Sequence, residues 1–143
     1  MNDPDDAALK QELTLDEGRR ATAYVDTVGK ITVGIGHNLS DVPLPDDVID
    51  HLYTYDMGQV FILLNLNYPW WADLPAPQAR VLANLCFNMG PVKLAGFVHF
   101  LAAMQRQDWQ AAAAELQDSL WFGQVGERGP RMIARLLGTA DAA

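Results

Sequence analysis

The chain has 143 residues, half of them hydrophobic and 20% charged, which suits one folded domain with a core and excludes collagen-like, low-complexity and largely disordered classes. Ten Lys and Arg stand against 18 Asp and Glu, for a net charge of −8, so the cations whose counterion release drives nucleic-acid affinity are scarce and no nucleic-acid partner is expected. The excess lies in residues 1–72, with 4 basic and 12 acidic side chains, whereas residues 73–143 carry 6 of each.

Asp3 to Glu17 reads as a first helix, with Leu9, Leu13 and Leu15 among its apolar positions and Gly18 as its stop. From Ala23 to Ile35 the pattern changes to β-branched and aromatic residues punctuated by Gly29 and Gly34. Strict alternation in Ile31-Thr32-Val33-Gly34-Ile35 predicts a strand, and Thr27-Val28-Gly29-Lys30 suits the turn of a hairpin. Pro43 and Pro45 make a loop of residues 41–45. Asp46 and Asp47 then open a long helix to about Leu66, their charge complementing its positive start. The run Asn67-Tyr68-Pro69-Trp70-Trp71 breaks it. Further helices are predicted at about Pro75–Met89, Ala95–Gln105, Asp108–Ser119 and Glu127–Leu137. With no repeat or linker, the reading is one α+β domain, mostly helical.

The lone Cys86 rules out an intramolecular disulfide, and its apolar surroundings predict a buried, inert thiol. The acidic start Met1-Asn2-Asp3-Pro4-Asp5-Asp6 lacks the basic residues and apolar core of a signal peptide, and no run reaches the ~18 apolar residues of a membrane span. The expectation is synthesis in the cytoplasm without stable membrane insertion. His37, His51, His99 and Cys86 are scattered, with no ligand-pair spacing, so neither a metal nor a cofactor is expected. Ser40 and Ser119 are the only serines and no Gly-x-Ser-x-Gly occurs, which disfavours a serine nucleophile.

The chemistry concentrates between Glu17 and His37. Glu17 ends a helix, Asp26 starts a hairpin and Thr32 lies on the returning strand, so a hairpin folded against the helix end would gather three polar groups. Two carboxylates across a gap are what acid-catalysed glycosidic cleavage needs, one to protonate the leaving oxygen and one to assist water or attack directly. Spacing alone leaves the alternative open, because two acids nine residues apart are ordinarily solvated charges.

Glu17 followed by Tyr24-x-Asp26-x-x-Gly29-x-x-Thr32-x-Gly34-x-Gly36-His37 resembles the phage-type lysozymes, the endolysins of glycoside hydrolase family 24. Leu52-Tyr53-x-x-Asp56 is similar to that family's inter-lobe helix, and Asn84-x-x-Phe87-Asn88-Met89-Gly90, Ala95-Gly96-Phe97, Trp121 and Gln124-x-x-x-Arg128-x-x-Arg131 extend the resemblance over nearly the whole chain.

The resemblance implies a lysozyme-like fold with a small β-hairpin lobe at about 17–45 and an inter-lobe helix at about 46–66. The helical lobe would take about 67–143 plus the N-terminal helix, with the active site in the cleft between lobes. It implies an N-acetylmuramidase that cleaves the β-1,4 bond between N-acetylmuramic acid and N-acetylglucosamine with inversion. Glu17 would be the general acid, Asp26 would position the attacking water and Thr32 would hold that water. Asn38, Phe87, Asn88 and Arg128 would bind substrate, and His37 with Asp56 would form a structural salt bridge. The implied partner is bacterial peptidoglycan, with a holin-type pore for access to the wall and a monomeric chain. Phage-mediated lysis is the leading setting. An antibacterial effector, a tail-associated muramidase or a catalytically inactive wall-binding module are the alternatives.

Two departures stand out. The stretch from Gly36 to Asp56 is shorter than in many relatives, which bears on distal sugar subsites. The charge of −8 also opposes an anionic wall, so moderate salt is expected to raise the lytic rate on whole cells.

Overall fold

The computed structural model describes residues 6–138, which fall into two compact units divided between His51 and Leu52. The architecture is α+β and mostly helical, with one small antiparallel sheet.

In the first unit, α1 spans Asp6–Glu17; the predicted start at Asp3 lies outside the described residues. Gly18 ends the helix in the left-handed region (φ +82°), its N–H donating to the Thr14 carbonyl at 2.9 Å. The hairpin follows as β1 (Arg20–Val25) and β2 (Ile31–Gly34), and a short β3 (His37–Asn38), for which the sequence pattern predicts no element, completes the order β1-β2-β3. Tyr24 pairs with Thr32, and Thr32 in turn with Asn38. Alternation on β2 turns out to bury its polar member: Thr32 is 4% exposed and Ile31 is 49% exposed. A hydroxyl inside and an isoleucine outside invert the usual pattern of a half-buried strand.

After the proline loop, α2 runs from Asp46 to Asn67, close to the predicted bounds, and the division between the units falls within it. The Pro45 carbonyl accepts from the Val48 and Ile49 N–H groups at its start.

The second unit adds a 3-10 helix (Pro69–Asp73), α3 (Ala76–Met89), α4 (Pro91–Ala95), α5 (Val98–Gln105), α6 (Trp109–Gln117), α7 (Leu120–Gln124) and α8 (Arg128–Leu137). Two boundaries differ from the sequence reading. A helix predicted from Ala95 begins at Pro91, whose fixed φ suits a first helical position, and breaks at Gly96-Phe97 before α5 resumes. A helix predicted to reach Ser119 stops at Gln117, and the Ser119 side chain instead caps α7 by accepting from the Phe122 N–H at 3.2 Å. Gly123 hides that short helix from a reading based on breakers.

The buried apolar core of the described residues lies in this unit. Val60 and Leu64 of α2, Val81, Leu82 and Leu85 of α3, Phe100 and Met104 of α5, Leu116 of α6, Trp121 of α7, and Met132 and Leu136 of α8 form one cluster. Cys86 is buried in it, as the sequence predicts. Gly129 lets α8 close on α7, since a Cβ there would lie 2.7 Å from Phe122 Cδ2.

Candidate active site

Glu17 stands at the last position of α1, where its side chain lies against backbone. A Cβ placed on Gly36 would come 3.3 Å from Glu17 Cγ and 3.4 Å from Cδ, and Gly36 has φ +66°. Two independent constraints therefore favour glycine at 36, the backbone conformation and the carboxyl-bearing neighbour. The chain after β2 thus passes directly over the carboxyl arm of Glu17.

Asp26 organises the hairpin turn. Its N–H donates to the Lys30 carbonyl at 2.8 Å and its own carbonyl accepts from Gly29 at 3.1 Å. Its Oδ1 accepts from the Val28 N–H at 3.0 Å and the Lys30 N–H at 2.8 Å, an Asx-turn arrangement that orients the carboxylate and leaves Oδ2 unused by these bonds. The same Lys30 carbonyl accepts from Thr32 Oγ1 at 3.1 Å. The backbone of Lys30 is therefore a hub that holds Asp26 by two bonds and Thr32 by a third. Sequence reading passed over Lys30; the available signal was the Asp-x-x-Gly-Lys turn itself.

The Thr32 bond has a chemical consequence. With its proton given to a carbonyl, the buried hydroxyl presents only lone pairs to anything else.

Asn38 lies on β3 and is engaged locally. Its Nδ2 donates to Asp41 Oδ2 at 2.9 Å, and its Oδ1 accepts from the Asp41 N–H at 3.2 Å. Asp41 also takes Lys30 Nζ at 3.1 Å, and the Ile31 N–H donates to Ser40 Oγ at 2.9 Å. The short segment after His37 is thereby stapled to the hairpin. His37 itself is half-buried, and its Nε2 is shielded from solvent without a hydrogen-bond partner among the described residues.

In the second unit an open cavity of about 560 Å³ has aromatic walls from Tyr53, Phe61, Trp71 and Phe87 with Arg80 and Arg128 among its lining. Phe61 and Trp71 stack at 5.5 Å between ring centroids, and Trp71 Nε1 donates to the Ala79 carbonyl at 3.0 Å, which fixes the indole. Of the predicted substrate residues, Phe87 and Arg128 line this cavity. Asn88, one residue on, instead turns its Oδ1 to the buried Trp121 Nε1 at 2.7 Å. Trp71 and Arg80 went unnoticed as a pair, because nothing in the sequence signals that the 3-10 helix and α3 share a wall. Arg131, on the same helix as Arg128, pairs with exposed Glu127 at 3.7 Å, a surface ion pair of little energetic weight.

Asp56 is exposed on α2. None of the described helices is long and apolar enough to cross a membrane.

Comparison with known proteins places these groups in a family. The phage lysozyme family profile matches residues 15–135, a span that includes Glu17, Asp26, Thr32 and Arg128. Similar proteins include the pre-baseplate central spike protein Gp5 of Enterobacteria phage T4, 26% identical over 95% of this chain but only 28% of the spike protein. Two probable T4-type lysozymes of Dictyostelium discoideum are also similar. Lysozyme 2 is 25% identical over 90% of this chain and 92% of its own length, and lysozyme 1 is 23% identical over 95% and 98%. The match over most of its length makes this chain a member of the phage lysozyme family.

Proposed function

We propose that the protein is a lysozyme-type hydrolase of peptidoglycan, an N-acetylmuramidase that cleaves the β-1,4 bond between N-acetylmuramic acid and N-acetylglucosamine with inversion. The observation that carries the reading is the Lys30 hub, which holds the Asp26 carboxylate and the Thr32 hydroxyl through one residue's backbone. Family membership and the two T4-type lysozyme relatives support the substrate class.

The mechanism follows from hydrogen-bond bookkeeping. Glu17, as a carboxylic acid, gives its proton to the glycosidic oxygen as the bond breaks. The attacking water gives one hydrogen to Asp26 Oδ2, the oxygen the turn leaves unused, and the other to Thr32 Oγ1, which can only accept. Its lone pair is then free for the anomeric carbon, and Asp26 takes up the water's proton as the new C–O bond forms. Phe87 would pack on a sugar ring and Arg128 would bind a substrate carboxylate. Asn38 and Asn88 would contribute sugar contacts only through the amide valences their internal bonds leave over. A structural ion pair between His37 and Asp56 belongs to the same reading, as the family resemblance implies.

Phage-mediated lysis with access through a holin-type pore is the proposed setting. The similarity to the T4 central spike protein favours a second setting, a muramidase carried in a phage tail assembly.

The test is digestion of isolated, unmodified peptidoglycan with product analysis by mass and reducing ends. Reducing-end muramic acid is expected, and Glu17→Gln is expected to abolish turnover while the protein stays folded. Anhydro-muramic ends would replace hydrolysis by a lytic transglycosylase reaction. No fragments from a folded protein would leave a wall-binding module.

A further inference from the structure

The peptide that links Lys30 to Ile31 is held from both sides. Its carbonyl accepts from the Asp26 N–H at 2.8 Å and from Thr32 Oγ1 at 3.1 Å. Its N–H, which belongs to Ile31, points the opposite way and donates to Ser40 Oγ at 2.9 Å. Because a peptide is planar, whatever orients the N–H also orients the carbonyl. Ser40 is one of two serines in the chain, and it takes this bond in place of a backbone group. The Leu39 N–H donates to the Ile31 carbonyl at 2.8 Å, and a regular antiparallel pair would return the Ile31 N–H to the Leu39 carbonyl. The Ser40 hydroxyl receives it instead.

We propose that Ser40 is a positioning residue for the hydrolysis: it fixes the Lys30–Ile31 peptide, and through that peptide it keeps the Thr32 hydroxyl proton on the Lys30 carbonyl. The inference rests on the water-holding role proposed for Thr32. Two effects act in the same direction. The first is geometric. A tilt of the peptide plane moves the carbonyl oxygen away from the Thr32 hydroxyl, whose 3.1 Å bond is already long for O–H···O. A hydroxyl released from that carbonyl turns its proton toward the attacking water and ceases to be a pure acceptor. The second is electronic. Hydrogen bonds in series polarise one another, so donation by the N–H makes the carbonyl of the same peptide a better acceptor.

The segment that carries Ser40 is itself tied down. Asp41 Oδ2 accepts from Asn38 Nδ2 at 2.9 Å, and Lys30 Nζ lies 3.1 Å from the same oxygen and 3.2 Å from Oδ1. Asn38 in turn accepts twice, at Oδ1 from the Asp41 N–H at 3.2 Å and at its carbonyl from the Val42 N–H at 3.0 Å. Residues 38–42 are thereby closed into a turn with Ser40 inside it. An exposed ion pair contributes little by itself. Here it joins the two ends of one relay, because Lys30 holds Asp41 by its side chain and Asp26 and Thr32 by its backbone.

Steady-state kinetics on isolated peptidoglycan and NMR of the substrate-free protein test the proposal together. Ser40→Ala should lower kcat roughly fivefold with KM unchanged, since small misplacements of reacting groups are costly, and should keep the wild-type circular dichroism spectrum. Ser40→Thr, which retains the oxygen, should recover most of the kcat. In a Thr32→Val background Ser40→Ala should cost nothing further, because the hydroxyl it positions is gone. In the free protein the Thr32 hydroxyl proton, held on a carbonyl, should give an NMR signal that Ser40→Ala loses and Ser40→Thr keeps. Wild-type kcat in Ser40→Ala overturns the proposal, as does an equal fold-loss in the Thr32→Val background. So does a Thr32 hydroxyl signal that survives Ser40→Ala or is absent from the wild type. A wild type that releases no fragments, or Thr32→Val with full activity, overturns the proposed function instead. In those cases, or where Thr32→Val leaves no rate to compare, the hydroxyl signal alone decides whether Ser40 controls Thr32.

Discussion

Gly36 and Glu17 are in contact: a Cβ at Gly36 would lie 3.3–3.4 Å from Glu17 Cβ, Cγ and Cδ, so the carboxyl arm rests where any larger residue would press on it. Gly34 supplies a built-in control. Its φ of +68° nearly equals the +66° of Gly36, but nothing lies within 4 Å of the position its Cβ would take. Alanine at either site pays the same left-handed backbone strain, about 1 kcal/mol or more. Only Gly36→Ala also displaces the proposed acid. We expect Gly36→Ala to lower kcat on peptidoglycan by roughly tenfold with little change in KM, since small misplacements of a catalytic group are costly. Gly34→Ala should lose similar stability and keep its kcat. Equal kcat values in the two variants would remove the positioning role.

Asp26 combines two roles that substitution separates. Asparagine retains an oxygen for the Val28 and Lys30 N–H groups but cannot take a proton from water. Asp26→Asn is therefore expected to unfold near the wild-type urea midpoint with activity reduced at least 100-fold, in line with the loss of a general base. Asp26→Ala should lose activity and also about 2 kcal/mol of stability, because two hairpin N–H groups lose a charged acceptor. Full activity in Asp26→Asn would move the base elsewhere.

The Asn88–Trp121 bond predicts a structural phenotype at a residue expected to touch substrate. Trp121 is 2% exposed, and its indole N–H has Asn88 Oδ1 as partner at 2.7 Å. Asn88→Ala should cost about 1–3 kcal/mol by chemical denaturation, the penalty for a buried donor left unpaired. Asn88→Gln, longer by one methylene, should recover part of it. A variant as stable as wild type but slower on substrate would instead assign Asn88 wholly to binding.

Burial pushes the Cys86 thiol above its usual 9.0, and burial together with nearby Cys86 raises the Tyr68 phenol above 10.0. Both groups hold their protons longer in the folded chain than in the unfolded one. Stability from this source is thus complete below pH 9.0 and declines as pH rises past it, because the unfolded chain ionises first. We expect the urea midpoint to fall as pH rises past about 9, with a shallower fall in Cys86→Ala. A thiol reagent should label the native protein far more slowly than the urea-unfolded one. Rapid native labelling would contradict a buried, protonated thiol.

Local sequence determined much of this protein. Prolines, glycines and acidic helix starts act within a few residues, so the stop at Gly18, the turn at Thr27–Lys30 and the start of α2 at Asp46 are legible in the sequence. The residues of the proposed reaction were legible too, because Glu17, Asp26 and Thr32 sit in a motif with dense, fixed spacing.

Tertiary structure alone decided what depends on neighbours remote in the chain. Burial of Thr32 rather than Ile31 on β2 reflects what covers each face of a strand, which alternation cannot tell. Asn88 binding the indole of a tryptophan 33 residues away, and Trp71 sharing a cavity with Arg128, are contacts between elements whose packing no local rule encodes. The apolar residues of α2 are spread around the helix, and which of them met the core was settled only when the helices of the second unit closed around Val60 and Leu64.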